Sequence, residues 1–307
     1  MKKFILFFAA LTFLVPVSGQ NVELSVVSRA SYVVDGNESH FQGDDLCVNG
    51  YGSLGGNFSV AFRQHLNRPI TQADLFQATD FAFVSWIYDD RFEVSAGKVT
   101  TSYGSIEYDK AIYDVFGLAQ TLDFDCFLTG LSLGYKYGEN YFQAQLTRSP
   151  YLAVDPNLVA INFGWRGKAG VWNPVWSCNF FEYASGCFQN HLAFGNQFAF
   201  DHFDLNADLL LRTRTGHLDY FDDFTFLGEM VWRATEKFNI VGRFSYEKNG
   251  SFEDDPLMEY GTQCGMLGAG LHYFPIPNLR LHAYCLTRTG SNYFTIGATW
   301  NLSLLKK

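Results

Sequence analysis

From Val22 to Leu302 the chain repeats one unit: about ten residues in which apolar and polar side chains alternate, closed by an aromatic or a Gly, Asp or Asn turn. In the last unit Phe294, Ile296, Ala298, Trp300 and Leu302 share one face, while Tyr293, Thr295, Gly297, Thr299 and Asn301 share the other. A period of two is that of a β-strand whose two faces meet different surroundings. Read along the chain, the pattern predicts strands near 22–34, 44–54, 57–66, 79–88, 92–104, 126–137, 140–148, 156–168, 171–183, 187–200, 203–214, 222–234, 238–248, 260–274, 279–289 and 292–302. The stretch 44–66 also reads as one bent strand, which would leave fifteen; Gly55-Gly56-Asn57 is a hairpin signal and divides it.

Connection lengths sort themselves. Gly55-Gly56-Asn57, Asp89-Asp90-Arg91, Gly138-Glu139-Asn140, Thr235-Glu236-Lys237 and Pro275-Ile276-Pro277-Asn278 fall on one side of the alternation, and the longer segments 35–43, 67–78, 105–125, 149–155, 215–221 and 249–259 on the other. Short turns at one rim and long loops at the other, with an even strand count, predict an all-β fold: a sixteen-stranded antiparallel transmembrane β-barrel. The alternation runs without a linker, so 20–307 is expected to be one domain.

The faces separate by chemistry as well. Phe58, Val60, Phe62, Phe127, Leu131, Leu133, Val159, Ile161, Phe163, Trp165, Leu205, Ala207, Leu209, Leu211, Phe224, Phe226, Met230 and Trp232 are expected outside, against lipid. Arg63, Lys136, Arg166, Lys168, Asp204, Asp208, Arg212, Arg214, Glu229, Arg233, Arg243, Glu247, Arg280, His282 and Arg288 are expected in the lumen. A lipid-facing Arg or Lys near the midplane would cost about 2–4 kcal/mol, which explains the segregation. The arginines have two readings, solute contact or cross-strand pairing with Asp204, Asp208, Glu229 or Glu247.

Composition supports the same picture. The N-terminus carries Lys2 and Lys3, an apolar run from Phe4 to Val15, and the small-residue site Val17-Ser18-Gly19, so 1–19 reads as an export signal and Gln20 as the mature start. No Cys near that site suggests a lipid anchor, and no later run reaches the roughly 18 apolar residues of a helical span. An aromatic share of 18%, with 31 Phe and 17 Tyr, suits a lipid-facing wall with interfacial girdles. Net charge is −9, or −11 without 1–19, which argues against a nucleic-acid partner. Of the cysteines Cys47, Cys126, Cys178, Cys187, Cys264 and Cys285, only Cys178 and Cys187 flank one short turn and could meet; the alternative is free thiols throughout. The residues Ser303-Leu304-Leu305-Lys306-Lys307 after the last strand read as a tail protruding into the periplasm.

The longest connection, 105–125, is rich in aromatics and carboxylates. A structureless loop of about 20 residues in a compact fold is usually functional or disordered. Ile106, Ile112, Val115, Phe116 and Leu118 need burial, so the loop is expected to fold inward and narrow the pore, bringing Glu107, Asp109, Lys110 and Asp114 to the permeation path; an outer lid on neighbouring loops is the alternative. Strict alternation from Phe92, Val94 and Ala96 would aim Lys98 at lipid, but a bulge at Gly97 would turn it into the lumen, where it is expected; a side chain snorkelling near the outer interface is the alternative. The candidate constriction and lumen residues are thus Lys98, Glu107, Asp109, Lys110, Asp114, Arg63, Arg166, Arg212, Arg243 and Arg280.

The run Arg91-Phe-Glu-Val-Ser-Ala-Gly97-Lys98, then Tyr103-Gly104-Ser-Ile-Glu107-Tyr108-Asp109, preceded by Phe62-Arg63-Gln64-His65-Leu66-Asn67, resembles outer-membrane porins of the phosphate-selective O/P type. The resemblance is clearest over 57–115, where Gly97, Lys98, Gly104, Glu107, Tyr108 and Asp109 match the strand-to-loop signature. It implies a sixteen-stranded barrel in the outer membrane of a Gram-negative bacterium, passive diffusion of small hydrophilic solutes or ions, and a homotrimer among outer-membrane lipids. The chain departs from phosphate-selective members in its few lysines and in outer loops carrying Asp44, Asp45, Asp222, Asp223, Glu253, Asp254 and Asp255. Basic lumen groups favour anions and an acidic vestibule favours cations, so a weakly selective channel is expected, with phosphate among its candidate solutes.

Two other classes make different demands on the sequence. An outer-membrane phospholipase or protease needs a Ser/His/acid or Asp/His constellation at one rim, yet His191, His202, His217, His272 and His282 are scattered and no Gly-x-Ser-x-Gly, His-Glu-x-x-His or phosphate-loop motif occurs. A secreted soluble β-protein would expose the aromatic faces to water. No cofactor, metal or enzymatic activity is expected.

Overall fold

The computed structural model describes residues 21–36, 38–68, 78–151, 157–217, 219–253 and 258–306. The proposed export signal, much of the loop 67–78, and Asp254 and Asp255 lie outside the described residues. Sixteen antiparallel strands form a closed barrel in which each pairs with its sequence neighbours and the last pairs with the first. They are β1 Val22–Asp35, β2 Glu38–Gly55, β3 Phe58–His65, β4 Thr79–Tyr88, β5 Phe92–Thr100, β6 Phe127–Tyr137, β7 Asn140–Arg148 and β8 Val159–Arg166 in the first half. The second half contributes β9 Trp172–Ala184, β10 Cys187–Ala199, β11 Phe203–Arg214, β12 Asp223–Thr235, β13 Phe238–Asn249, β14 Gln263–Ile276, β15 Leu279–Arg288 and β16 Ser291–Lys306. Closure removes every free sheet edge. The predicted division of 44–66 holds, with Gly55, Gly56 and Asn57 all at positive φ in the turn.

Alternation sets the two surfaces. Leu131, Leu133, Phe163, Met230, Leu267 and Ile296 are exposed on the outside, whereas Ser132, Asn162, Asn179, Thr225, Ser245 and Thr295 are buried on the inside. Aromatic rings gather beside the short turns: Trp165, Trp172 and Trp176 pack edge to face, and Phe92 lies 4.8 Å from Tyr135. These rings form a band at the short-turn end, where an amphipathic ring suits an apolar-to-aqueous boundary.

Three sequence expectations are corrected. The segment 35–43 is not a long loop: β1 and β2 run on to Asp35 and Glu38, joined by a tight turn with Gly36 at positive φ. Polar residues there mimic a loop, but ladder hydrogen bonds need no apolar side chains, and Tyr32 packs on Phe41 across the pair at 4.8 Å. The C-terminal residues do not protrude as a tail, because β16 continues to Lys306 against Glu23, with a register shift at Leu24/Ser25. Cys178 and Cys187 do not meet: Cys178 faces Leu192, Cys187 faces Ala184, and all six thiols are free. A disulfide would need Cα atoms closer than about 7 Å, a separation the intervening rungs do not allow.

Candidate functional site

Between Thr100 and Phe127 the chain leaves the sheet and lies against lumen-facing side chains of strands from β7 round to β1. It holds one helical turn, α1 Ile106–Asp109, and single 3-10 turns at Ile112–Asp114 and Gln120–Leu122. Ser105 caps α1, its Oγ accepting from the Tyr108 N–H at 3.3 Å and donating to Asp208 on β11 at 2.5 Å. Asp208 also accepts the Glu107 N–H at 3.1 Å, so one wall carboxylate satisfies the first turn.

The approach is close enough to require glycine. A Cβ on Gly104 would lie far inside van der Waals contact of the Ala193 carbonyl oxygen and the Ser177 nitrogen, and 2.7 Å from the Trp176 carbonyl carbon. Opposite it, a Cβ on Gly195 would reach the Ile106 nitrogen at 2.9 Å. With nothing between backbones, Gly104 N–H reaches Ser177 Oγ at 2.8 Å. Tyr103, Leu122, Phe181, Ala193 and Leu210 then form a buried cluster, with Tyr108 and Phe124 stacked at 5.3 Å beside it.

Every candidate charge of the loop meets a wall charge. Glu107 pairs with Arg243 of β13, Lys110 with Glu229 of β12, Asp109 with Arg166 of β8 through a second contact of 2.7 Å, and Asp114 with Arg280 of β15 at 2.5 Å. Glu247 receives the Gln120 and Thr121 N–H groups at 3.1 and 3.2 Å. Burial pushes the Asp109 carboxyl above its ordinary range, and the adjacent Arg166 guanidinium opposes that shift. At the tip, Phe116 stacks on Tyr284 at 4.7 Å under the Arg29 guanidinium, which lies 4.2 Å from the ring centre. Arg29 also donates to the carbonyls of Val115 and Tyr113 at 3.0 and 3.4 Å.

The ten predicted positions therefore divide. Seven lie on the loop or face inward and form, with Glu229, the four ion pairs just described: Glu107, Asp109, Lys110, Asp114, Arg166, Arg243 and Arg280. The eighth, Arg63, stands apart on β3, donating to Asn49 at 2.8 Å and lying over Phe81. Arg212 is fully buried, 5.9 Å from the Phe252 ring, so it faces inward without opening onto the lumen. Lys98 is a correction: β4 and β6 pair with β5 through Gly97 with no register shift, so Lys98 keeps the outward face of Val94 and Ala96. Its Nζ returns to the Thr79 carbonyl at 2.8 Å. Gly97 takes a φ of 133° because a Cβ would strike the backbone of Ala82 and Phe83, which makes it a close approach and not a bulge. Arg29 was not among the expected site residues, although its odd position is in line with inward Val27 and Ser31, and Asp44 and Asp45, expected in an acidic outer loop, lie instead on β2, where Gly43 adjoins the bulge.

Residues 21–157 match the family of phosphate-selective porins O and P. That stretch of the porin match holds β1 to β7 and the entire inner loop, including Gly97, Gly104, Glu107, Tyr108 and Asp109. Among solved structures the chain is similar to outer-membrane OmpT of Vibrio cholerae, with a TM-score of 0.69 at 8% identity, covering 94% of this chain and 99% of that one. It is similar also to the outer membrane channel DcaP of Acinetobacter baumannii, with a TM-score of 0.67 at 10% identity, covering 92% and 97%. The anion-selective porin from Comamonas acidovorans gives a TM-score of 0.64 at 10% identity, covering 92% and 100%. Identities this low speak for the fold. No curated protein matches the chain.

Proposed function

We propose that the protein is an outer-membrane porin, a passive and weakly selective diffusion channel for small hydrophilic solutes and ions. The observation that carries this reading is an inner loop clamped across a closed barrel whose outside is apolar and whose inside is lined by charged and polar groups. A wall of that kind suits lipid outside and water inside, and a loop held by fixed ion pairs narrows a lumen without plugging it by apolar packing alone.

Selectivity should be weak because the basic wall groups do not act as a bare ladder: Arg166, Arg243 and Arg280 each face a loop carboxylate. Phosphate, the solute that the matched family's description names, stays among the candidate solutes. A homotrimer is the assembly this reading favours, since one of the solved structures similar to the chain is described as a trimer form. The reading is non-enzymatic: the buried histidines His65 and His191 serve packing and ion pairing, His191 lying 2.9 Å from the Tyr103 hydroxyl.

Reconstitution tests it. Refolded protein without 1–19, added to a planar bilayer in KCl, should insert in discrete conductance steps with a reversal potential close to zero in a salt gradient. A protein that inserts as a heat-modifiable barrel yet conducts nothing would overturn the proposal.

A further inference from the structure

The contacts of the inner loop trace an arc, from Gln145 of β7 and Ser177 of β9 through Asp208, Glu229, Glu247 and Arg280 to Arg29 of β1. Where the arc ends, a cavity of about 390 Å³ opens between the loop tip and the first two strands. Arg29, Gln42, Asp44, Asp45, Tyr113 and Tyr293 line it. We infer that this cavity is the aperture through which ions pass, and that Arg29 and Asp44, not the loop carboxylates, set the ion preference there; the inference rests on the channel reading above.

The local geometry is built by a bulge. Arg29 pairs with Asp45 and Ala30 with Gly43, so Asp44 is an extra residue, and two successive carboxylates face inward where regular alternation would allow one. They have different surroundings. Asp45 is buried and lies 2.7 Å from His65, whose other ring nitrogen lies 2.7 Å from Asp80. His65 thus bridges two carboxylates between β2, β3 and β4, and the negative charge it leaves over is offset by Arg63 and Arg68, 3.8 and 3.4 Å from Asp80. Asp44 stands at the cavity, holding Arg29 at 3.1 Å, the Ser31 hydroxyl at 2.7 Å and the Gln42 amide at 2.5 Å. One positive and one negative group at a single narrow point give a nearly neutral aperture, the basis for weak selectivity. Removing either charge should expose the other to the passing ion.

The magnitude follows from Coulomb attraction. With water-like screening, an uncompensated unit charge about 5 Å from the ion changes its local concentration about fourfold. In the full-length mature protein in planar bilayers, Asp44→Asn lowers the local cation level about fourfold and raises that of the anion about fourfold, so it should shift the K⁺/Cl⁻ permeability ratio about 16-fold toward chloride. Gln42→Lys should shift it the same way and Gln42→Glu the opposite way, and these two alter a cavity-lining residue without emptying the Arg29 site. Asp109→Asn, across the barrel at β8, should leave the ratio within about twofold of wild type, because its partner lies away from the aperture. A conducting wild type whose ratio ignores Asp44→Asn and both Gln42 variants, or follows Asp109→Asn instead, overturns this inference alone. A wild type that does not conduct overturns the channel reading beneath it.

Discussion

Gly104→Ala is the smallest change that should unseat the inner loop. The added methyl would meet backbone atoms of β9 and β10, which closure and two-sided pairing hold in place. The loop must therefore rise by about an ångström to restore ordinary van der Waals contact. Rising stretches the Gly104 N–H bond to Ser177 and the two bonds that the Ser105 hydroxyl and Glu107 N–H give to Asp208. Bonds to a charged acceptor contribute about 1.5–3 kcal/mol each, and overpacking adds about 1–3 kcal/mol. Loss of one such bond with the added crowding puts the penalty at about 2.5–6 kcal/mol on loop seating, with the barrel itself untouched. Single-channel recording should show larger or noisier conductance, and trypsin should cleave after Lys110 in the folded barrel, while the heat-modifiable band shift stays as in wild type. Gly242→Ala is the control, since a Cβ there meets nothing within 4 Å. Wild-type conductance and trypsin resistance in Gly104→Ala would refute the argument that direct backbone contact seats the loop.

Arg243→Leu should leave the Glu107 carboxylate buried without its partner, a loss of about 3–5 kcal/mol, read as increased cleavage after Lys110 and partly rescued by adding Glu107→Gln. Lys98→Ala should leave the K⁺/Cl⁻ permeability ratio unchanged, because the side chain sits on the outward face and returns to the Thr79 carbonyl; a change comparable with that of Asp44→Asn would place it in the lumen after all. Unreduced protein in denaturant should titrate six thiols, and a count of four would restore a disulfide.

The barrel was legible because its cause is local. Each strand must present an apolar and a polar face, so Phe294, Ile296 and Trp300 declare their side by spacing alone, and each of the sixteen strands overlaps a segment the period predicts, although β5 stops at Thr100 and leaves 101–104, expected in that strand, to the inner loop. Strand ends were less legible where the chain rises beyond the apolar belt. Glu38 to Gly43 and Ser303 to Lys306 pair through the backbone, and backbone pairing leaves no mark on residue type.

The loop shows the same limit at the site. Its burial could be argued from Ile106, Val115 and Phe116, and its wall partners had been assigned to the lumen one by one, yet no spacing rule says which arginine meets which acid across a barrel. Register irregularities were the least visible of all. Gly97 suggested a bulge and is instead a close backbone approach, whereas the true extra residue is Asp44, whose neighbour Gly43 reads as the end of a polar loop. One such residue reverses the facing of everything before it on β2, because the side-chain period is two. That reversal is what brings Gln42 and Asp44 inward beside Arg29, so the groups that border the aperture depend on the single feature of the strand that alternation cannot encode.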